Sequence, residues 1–231
     1  MPAPAPAYCR PEAYELFAAS VQQLDSSDGL LMAAVAISMH ELDDVDPAAV
    51  DRQLQDYVDT VHSRVHGGHE PALLAHTHQL LFDEAGFTGN TANYYDRANS
   101  YLPSVLHGKT GLPITLSLIY KTVLDRLGVS VHGINAPGHF MVRVDASDGP
   151  MLVDPFVGGR VLSIEEACQR SSAAVQQPAL APGEVLSVAT HRQWVGRILR
   201  NLYAAFLQRS RTEDLGAIAE LGRLLKGDGP I

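Results

Sequence analysis

The chain is poor in several things. Of its 231 residues only two are cysteines, Cys9 and Cys168. That is too few for a disulfide framework, so a reducing compartment is expected, with the cytoplasm as the default. Cations are scarce: 17 Lys plus Arg stand against 26 Asp plus Glu, a formal charge of −9. A balance of that sign argues against a dedicated binder of nucleic acid or of anionic membranes, both of which need an excess of Lys and Arg. No run of about 18 apolar residues occurs, which excludes a membrane-spanning helix by hydropathy. The opening MPAPAPAYCRPEAYELF has no charged segment followed by an apolar run. It is therefore expected to be an extended leader, with Pro2, Pro4 and Pro6 alternating with Ala, and not a secretory signal. There is no G-x-S-x-G or G-x-G-x-x-G. His107-Gly108-Lys109-Thr110 imitates the end of a phosphate loop, but Pro103 stands where the first Gly is required and no strand precedes it. Asp43, Asp44 and Asp46 lack the Gly and distal Glu of a calcium loop.

What is present is core material: 46% of residues are hydrophobic, enough for one large domain or a domain with an appendage. Helical spacing predicts helices over roughly 11–25, 30–42, 47–65, 71–85 and 111–128. The second of these is apolar almost all round and is expected to be buried. Asp46 and Pro47 read as the cap and first position of the third. The period then switches to two. Residues 129–134, 139–144 and 151–153 read as strands, the last two joined through the turn signal DASDGP. Phe140, Val142 and Val144 are expected on one face. Residues 171–186 are low in charge and hold Pro178, Pro182 and Gly183. Beyond them, 190–225 predict two helices of tetratricopeptide size. The expected organisation is an N-terminal helical region (1–86), a core (87–170), a linker (171–189) and a helix pair (190–231).

Two residues stand out chemically. His139 follows Pro137-Gly138 and opens a strand; Asp154 precedes Pro155-Phe156 and closes the next one. Antiparallel pairing would set the imidazole beside the carboxylate, an arrangement that fixes a His tautomer and supports general-base chemistry. The segments GFTGNTANYYDRANSYLPSVL, KTGLPITLSLIY, LGVSVHGINAPGHFMVRV and LVDPFVGGRVLS resemble the SirB-type branch of the transglutaminase-like superfamily over residues 80–165. The resemblance implies an α+β fold with a papain-like core, a small antiparallel sheet and a tetratricopeptide-like C-terminal helix pair. Active members of the wider superfamily carry a cysteine at a helix start, followed by His and Asp on consecutive strands, whereas the SirB-type branch resembles this sequence in showing Gly-x-Pro there. The His and Asp carry over as His139 and Asp154. The thiol does not: the family spacing, counted back from Gly128, lands on Pro113.

Each candidate has two readings. His139 and Asp154 are either a working acid–base pair or a structural pair holding two strands together, and the missing nucleophile favours the second. Thr115 offers a hydroxyl near the helix start, catalytic or simply capping. Cys9 and Cys168 are distant thiols or inert ones. Asn93, Tyr94, Tyr95 and Asn99, with Pro113, either line a substrate cleft or belong to a loop tied down by its own Asn side chains. His62, His66, His69, His76 and His78 are dense, yet no Cys or H-E-x-x-H pattern accompanies them, so no metal and no cofactor is expected. The functional expectation is a non-catalytic peptide- or protein-binding or regulatory module. The alternative is a hydrolase or acyl transferase in which His139 and Asp154 serve a non-standard nucleophile.

Overall fold

The computed structural model describes residues 5–178 and 180–226. Pro2 and Pro4 of the expected leader, Ala179 and the last five positions of the expected helix pair lie outside them. The first half is helical: α1 (Pro11–Val21), α2 (Ser27–Met39), α3 (Pro47–Arg64) and α4 (Glu70–His78), which runs on as a π-helical turn over Gln79–Glu84. α2 starts three residues before its predicted position because the Ser26 side chain accepts from Gly29 N–H. From Gly29 to Ser38 it is buried on nearly every side, as its composition predicts. α3 is capped by Asp46, whose carboxylate accepts from Ala48 N–H at 2.9 Å, with Pro47 opening the helix.

A two-residue parallel ladder follows, β1 (Thr88–Gly89) with β2 (Thr110–Gly111). Between them lie the Asn- and Tyr-rich loop, a 3-10 turn over Arg97–Ser100, and α5 (Leu102–Gly108). The central helix is α6 (Pro113–Arg126). Every residue from Pro113 to Leu124 is buried, and α6 meets α3, α4, α5 and both sheets. The main sheet is an antiparallel meander of β3 (Val131–Ile134), β4 (Met141–Ala146), β5 (Gly149–Asp154) and β6 (Arg160–Leu162). Phe140, Val142 and Val144 join the main core against α6, as their alternation predicts. The other face is also covered at one end. Met141 and Leu152 belong to a second apolar cluster with Ala167 of α7 (Ile164–Val175) and Val185 of α8 (Pro182–Val185).

The described residues of 171–189, expected as a linker, carry regular structure. The stretch holds the end of α7 and all of α8, and Val188 bridges Ile134 at the edge of β3. Most of its described residues are exposed, and Val185 and Ala189 anchor it by facing the interior. α9 (His191–Leu207) and α10 (Thr212–Lys226) complete the chain. α9 packs on α2, and α10 on α1. One connected core therefore takes side chains from Cys9 through Leu225. The carboxylate of Glu220 on α10 accepts from the backbone N–H groups of Ala7, Tyr8 and Cys9. Together these bonds outweigh burial and hold its pKa below the ordinary range. No helix among the described residues is long and apolar enough to cross a membrane.

Candidate functional site

His139 enters β4 from a tight turn in which its N–H bonds Ala136 O. Gly138 lies at φ +69°, and a Cβ there would come within 2.6 Å of Ala174 on α7. Only glycine lets the turn sit under that helix. Asp154 ends β5, two strand positions beyond Leu152, and its side chain is fully buried. His139 Nε2 lies 2.8 Å from Asp154 Oδ2. A carboxylate can only accept, so Nε2 carries the proton and Nδ1 is the ring's free acceptor. Asp154 is held in turn by Phe156 N–H at 3.1 Å and Arg170 Nη1 of α7 at 3.4 Å. The Phe156 bond also starts the 3-10 turn over Pro155–Val157.

The Phe156 ring stands edge-on to His139, with centroids 6.1 Å apart, and edge-on to Tyr94 at 5.9 Å. Gly89 makes room for it, since a Cβ there would lie 2.4 Å from the ring. Among the described residues no thiol, hydroxyl or backbone group hydrogen-bonds His139 Nδ1, and the side chain is 14% exposed. His139 and Asp154 thus come together as the sequence predicts.

Pro113 opens α6 without a side-chain cap. Thr115, in the first turn, is 1% exposed, and its hydroxyl has no hydrogen-bond partner. It is not joined to His139. Nor is either thiol. Cys9 sits beside Glu220 on α10, where burial, then the Glu220 charge, pushes its pKa up to about 12 and keeps it protonated. Cys168 is half-buried on α7 against the second apolar cluster.

The loop residues divide. Asn99 is buried and ties the loop down: its amide donates to Asn93 O at 2.7 Å and Tyr94 O at 3.1 Å, and its Oδ1 accepts from Asn90 Nδ2 at 2.9 Å. Asn93, Tyr94 and Tyr95 instead line a cleft of about 340 Å³ with Asp96, Gln208 and Arg209. Of the clustered histidines, His78 turns inward and shares a 2.6 Å hydrogen bond with Tyr120 OH. Burial holds its pKa below the usual imidazole value.

Sequence reasoning missed four residues around the site. Phe156 and Arg170 fix Asp154. Trp194 of α9 donates its indole N–H to Ile114 O at 3.3 Å, in the first turn of α6, and packs on Phe140 at 4.6 Å. Arg197 donates to Asn135 Oδ1 and to Ala136 O at 2.9 Å, bracing the turn before His139. The Asp-Pro-Phe order is a signal for Phe156, because Asp before Pro starts a turn. The other three lie on helices distant in sequence, and no local pattern marks them.

A family profile described as the transglutaminase-like superfamily matches residues 48–200. The chain is 36% identical over 208 residues to the UPF0162 protein of Xylella fastidiosa (strain Temecula1), covering 87% of this chain and 73% of that one. It is 26% identical over 212 residues to a UPF0162 protein of Pseudomonas aeruginosa, with the same shares covered. It is also 37% identical over 95 residues to the F-box only protein 21 of Mus musculus, covering 38% of this chain and 15% of that protein. No solved structure matches it. With an α+β core that fits the superfamily, a matched region spanning most of the described fold and UPF0162 relatives along nearly its whole length, the chain belongs to the transglutaminase-like superfamily.

Proposed function

We propose that this protein is a non-catalytic member of the SirB-type branch of its superfamily, acting in the cytoplasm as a peptide- or protein-binding module. The observation that carries this reading is twofold: a proline at the start of α6, and an imidazole with no nucleophile attending it among the described residues. The helix start that would present a thiol carries a proline, and among the described residues no nucleophilic side chain hydrogen-bonds His139 Nδ1. A base without a nucleophile in reach makes no acyl-enzyme. The His139–Asp154 bond then serves as a clamp between the ends of β4 and β5. The F-box relative supports use of this core as a module, since the similar segment occupies only 15% of that longer protein. The C-terminal helix pair supplies the docking surface.

The test is a panel of fluorogenic amides and esters, with a glutamine-donor transamidation assay, run on the wild type and on His139→Ala. The expected result is no turnover that depends on His139. A rate that rises sigmoidally around the imidazole pKa and vanishes in His139→Ala overturns the reading.

One observation favours a second reading. The Nδ1 lone pair is free, and the ring is oriented by a carboxylate that is itself held by two donors. Such an imidazole can deprotonate a water for hydrolysis, and the same assay separates the two.

A further inference from the structure

We infer that the exposed side of α9 and the Tyr94–Tyr95 loop beside it form a docking strip for an acidic peptide segment carrying an aromatic or aliphatic anchor. This rests on the binding-module reading above and names its surface and partner chemistry.

The first observation is charge. In a chain of net charge −9, α9 and the turn after it carry Arg197, Arg200 and Arg209, none of which pairs with a carboxylate among the described residues. Arg197 spends its donors on the neutral acceptors Asn135 and Ala136. Burial and the nearby Arg200 lower its pKa, while the Tyr94 phenol works against them. Arg200 and Arg209 are exposed. Asp96 also borders the strip, but one of its oxygens accepts from Ala98 N–H to cap the turn that follows.

The second observation is apolar exposure, on the loop and on the neighbouring solvent-facing stripe of α9. Tyr95 is 70% exposed, and Tyr203 and Leu207 of α9 are 46% and 58% exposed. Tyr203 and Leu207 are one helical turn apart, so they share a stripe beside Arg200. Between helix and loop runs a small, mostly apolar cavity of about 80 Å³, lined by Tyr94, Tyr95, Leu112 and Ala204, with Asp96 and Arg97 also in its wall. It continues into the cleft at Gln208 and Arg209. From Arg197 to Gln208 the helix rises about 16 Å, the span of roughly five extended residues. An apolar pocket with Arg209 in the adjoining cleft and Arg200 on the neighbouring helix face fits a short segment with Asp or Glu around one large apolar side chain. The strip also reaches the His139 site, since Tyr94 touches Phe156 and Phe156 touches His139.

The test pans a random dodecapeptide phage library on the intact protein and measures the selected peptides by fluorescence anisotropy. The probes also include an oligothymidine single strand, because exposed Tyr with Arg is a stacking platform for bases too. The expected peptides are rich in Asp and Glu around a Phe, Trp or Leu. Their affinity falls at least tenfold in Arg200→Glu/Arg209→Glu and in Tyr203→Ala/Leu207→Ala, with melting curves unchanged, and weakens as salt is raised. Binding also shifts the His139 imidazole signals by NMR. Neutral or basic sequences, or affinities indifferent to both double variants, overturn the strip while leaving a binding module elsewhere on the fold. Oligothymidine bound more tightly than any peptide at these residues overturns the peptide assignment. If no sequence is enriched, the strip and the binding-module reading fall together.

Discussion

Among the described residues two His–Asp pairs are largely removed from solvent, and they differ in what surrounds them. His139 and Asp154 join neighbouring strands, with Nδ1 unpartnered at a 14% exposed ring. His40 and Asp214 join the end of α2 to the start of α10, with Nε2 3.2 Å from Oδ1. There the carboxylate is shared with Arg211 at 2.6 Å, and His40 Nδ1 is sealed in the interior without a partner. Both bonds are close and both rings are oriented by an acid. Only the superfamily's topology makes one of them resemble a catalytic dyad. The lesson is that a His–Asp pair is first of all a way to tie two elements together. It becomes chemistry only when the free nitrogen meets something to deprotonate.

The largest blow to this comparison is Asp154→Ala. It strands the His139 ring, the Phe156 N–H and the Arg170 guanidinium at once, and a loss of roughly 3–5 kcal/mol is expected by urea denaturation. Asp214→Ala is expected to be milder, about 2–3 kcal/mol, because it leaves His40 with both nitrogens unpaired but Arg211 free to find water. If Asp214→Ala proved the costlier, the two pairs would have been ranked wrongly.

Acid sharpens the contrast next. Burial holds His40 below the ordinary imidazole value of 6.5, against the upward pull of Asp214, and burial also lowers His78 and His191. A lowered folded value means that the folded state binds protons less readily than the unfolded chain. Stability is thus complete above about 6.5 and is lost as pH falls from there through the folded values. Melting temperatures recorded from pH 7.5 to 5 should decline before the carboxylates begin to titrate, and a flat profile would contradict the burial of these rings.

His139→Ala should cost only about 1–2 kcal/mol, since Asp154 keeps its other two donors. Smallest of all is Thr115→Val. It removes a buried hydroxyl that bonds nothing, so a change between zero and about 1 kcal/mol of stabilisation is expected. Marked destabilisation would reveal a bond to Thr115 that the fold hides.

Where local chemistry decides, the chain could be read directly. Helical spacing marks α3 and α6, alternation marks β4, and the Pro-Gly and Asp-Pro punctuation around His139 and Asp154 places the pair at strand ends. Asn99 was legible with two roles open, and its bonds to Asn90, Asn93 and Tyr94 within its own loop are those of the loop-tying one. Tertiary placement was not legible. Thr88-Gly89 and Thr110-Gly111 are too short to show a period, and they pair only because α5 folds back between them. Arg170 reaches Asp154 from a helix whose position depends on Gly138. The segment 171–189 looks like a linker by its prolines and low charge, whereas Val185 and Ala189 are apolar because they are buried. The α9 strip needs Tyr94 beside Ala204, a meeting that no single stretch of sequence encodes.

Trp194 is the chain's single tryptophan, and it is wholly buried where α9, the first turn of α6 and Phe140 meet. The protein therefore carries one intrinsic optical label at the junction of its C-terminal helices and its core. Excited at a wavelength that spares tyrosine, its emission reports a single place. A red shift means that α9 has lifted and water has reached the indole, whether through denaturant, acid or a partner that pries the helix away. Loss of the helix pair ahead of the rest would then show as an indole transition preceding the loss of far-ultraviolet ellipticity, with no dye attached.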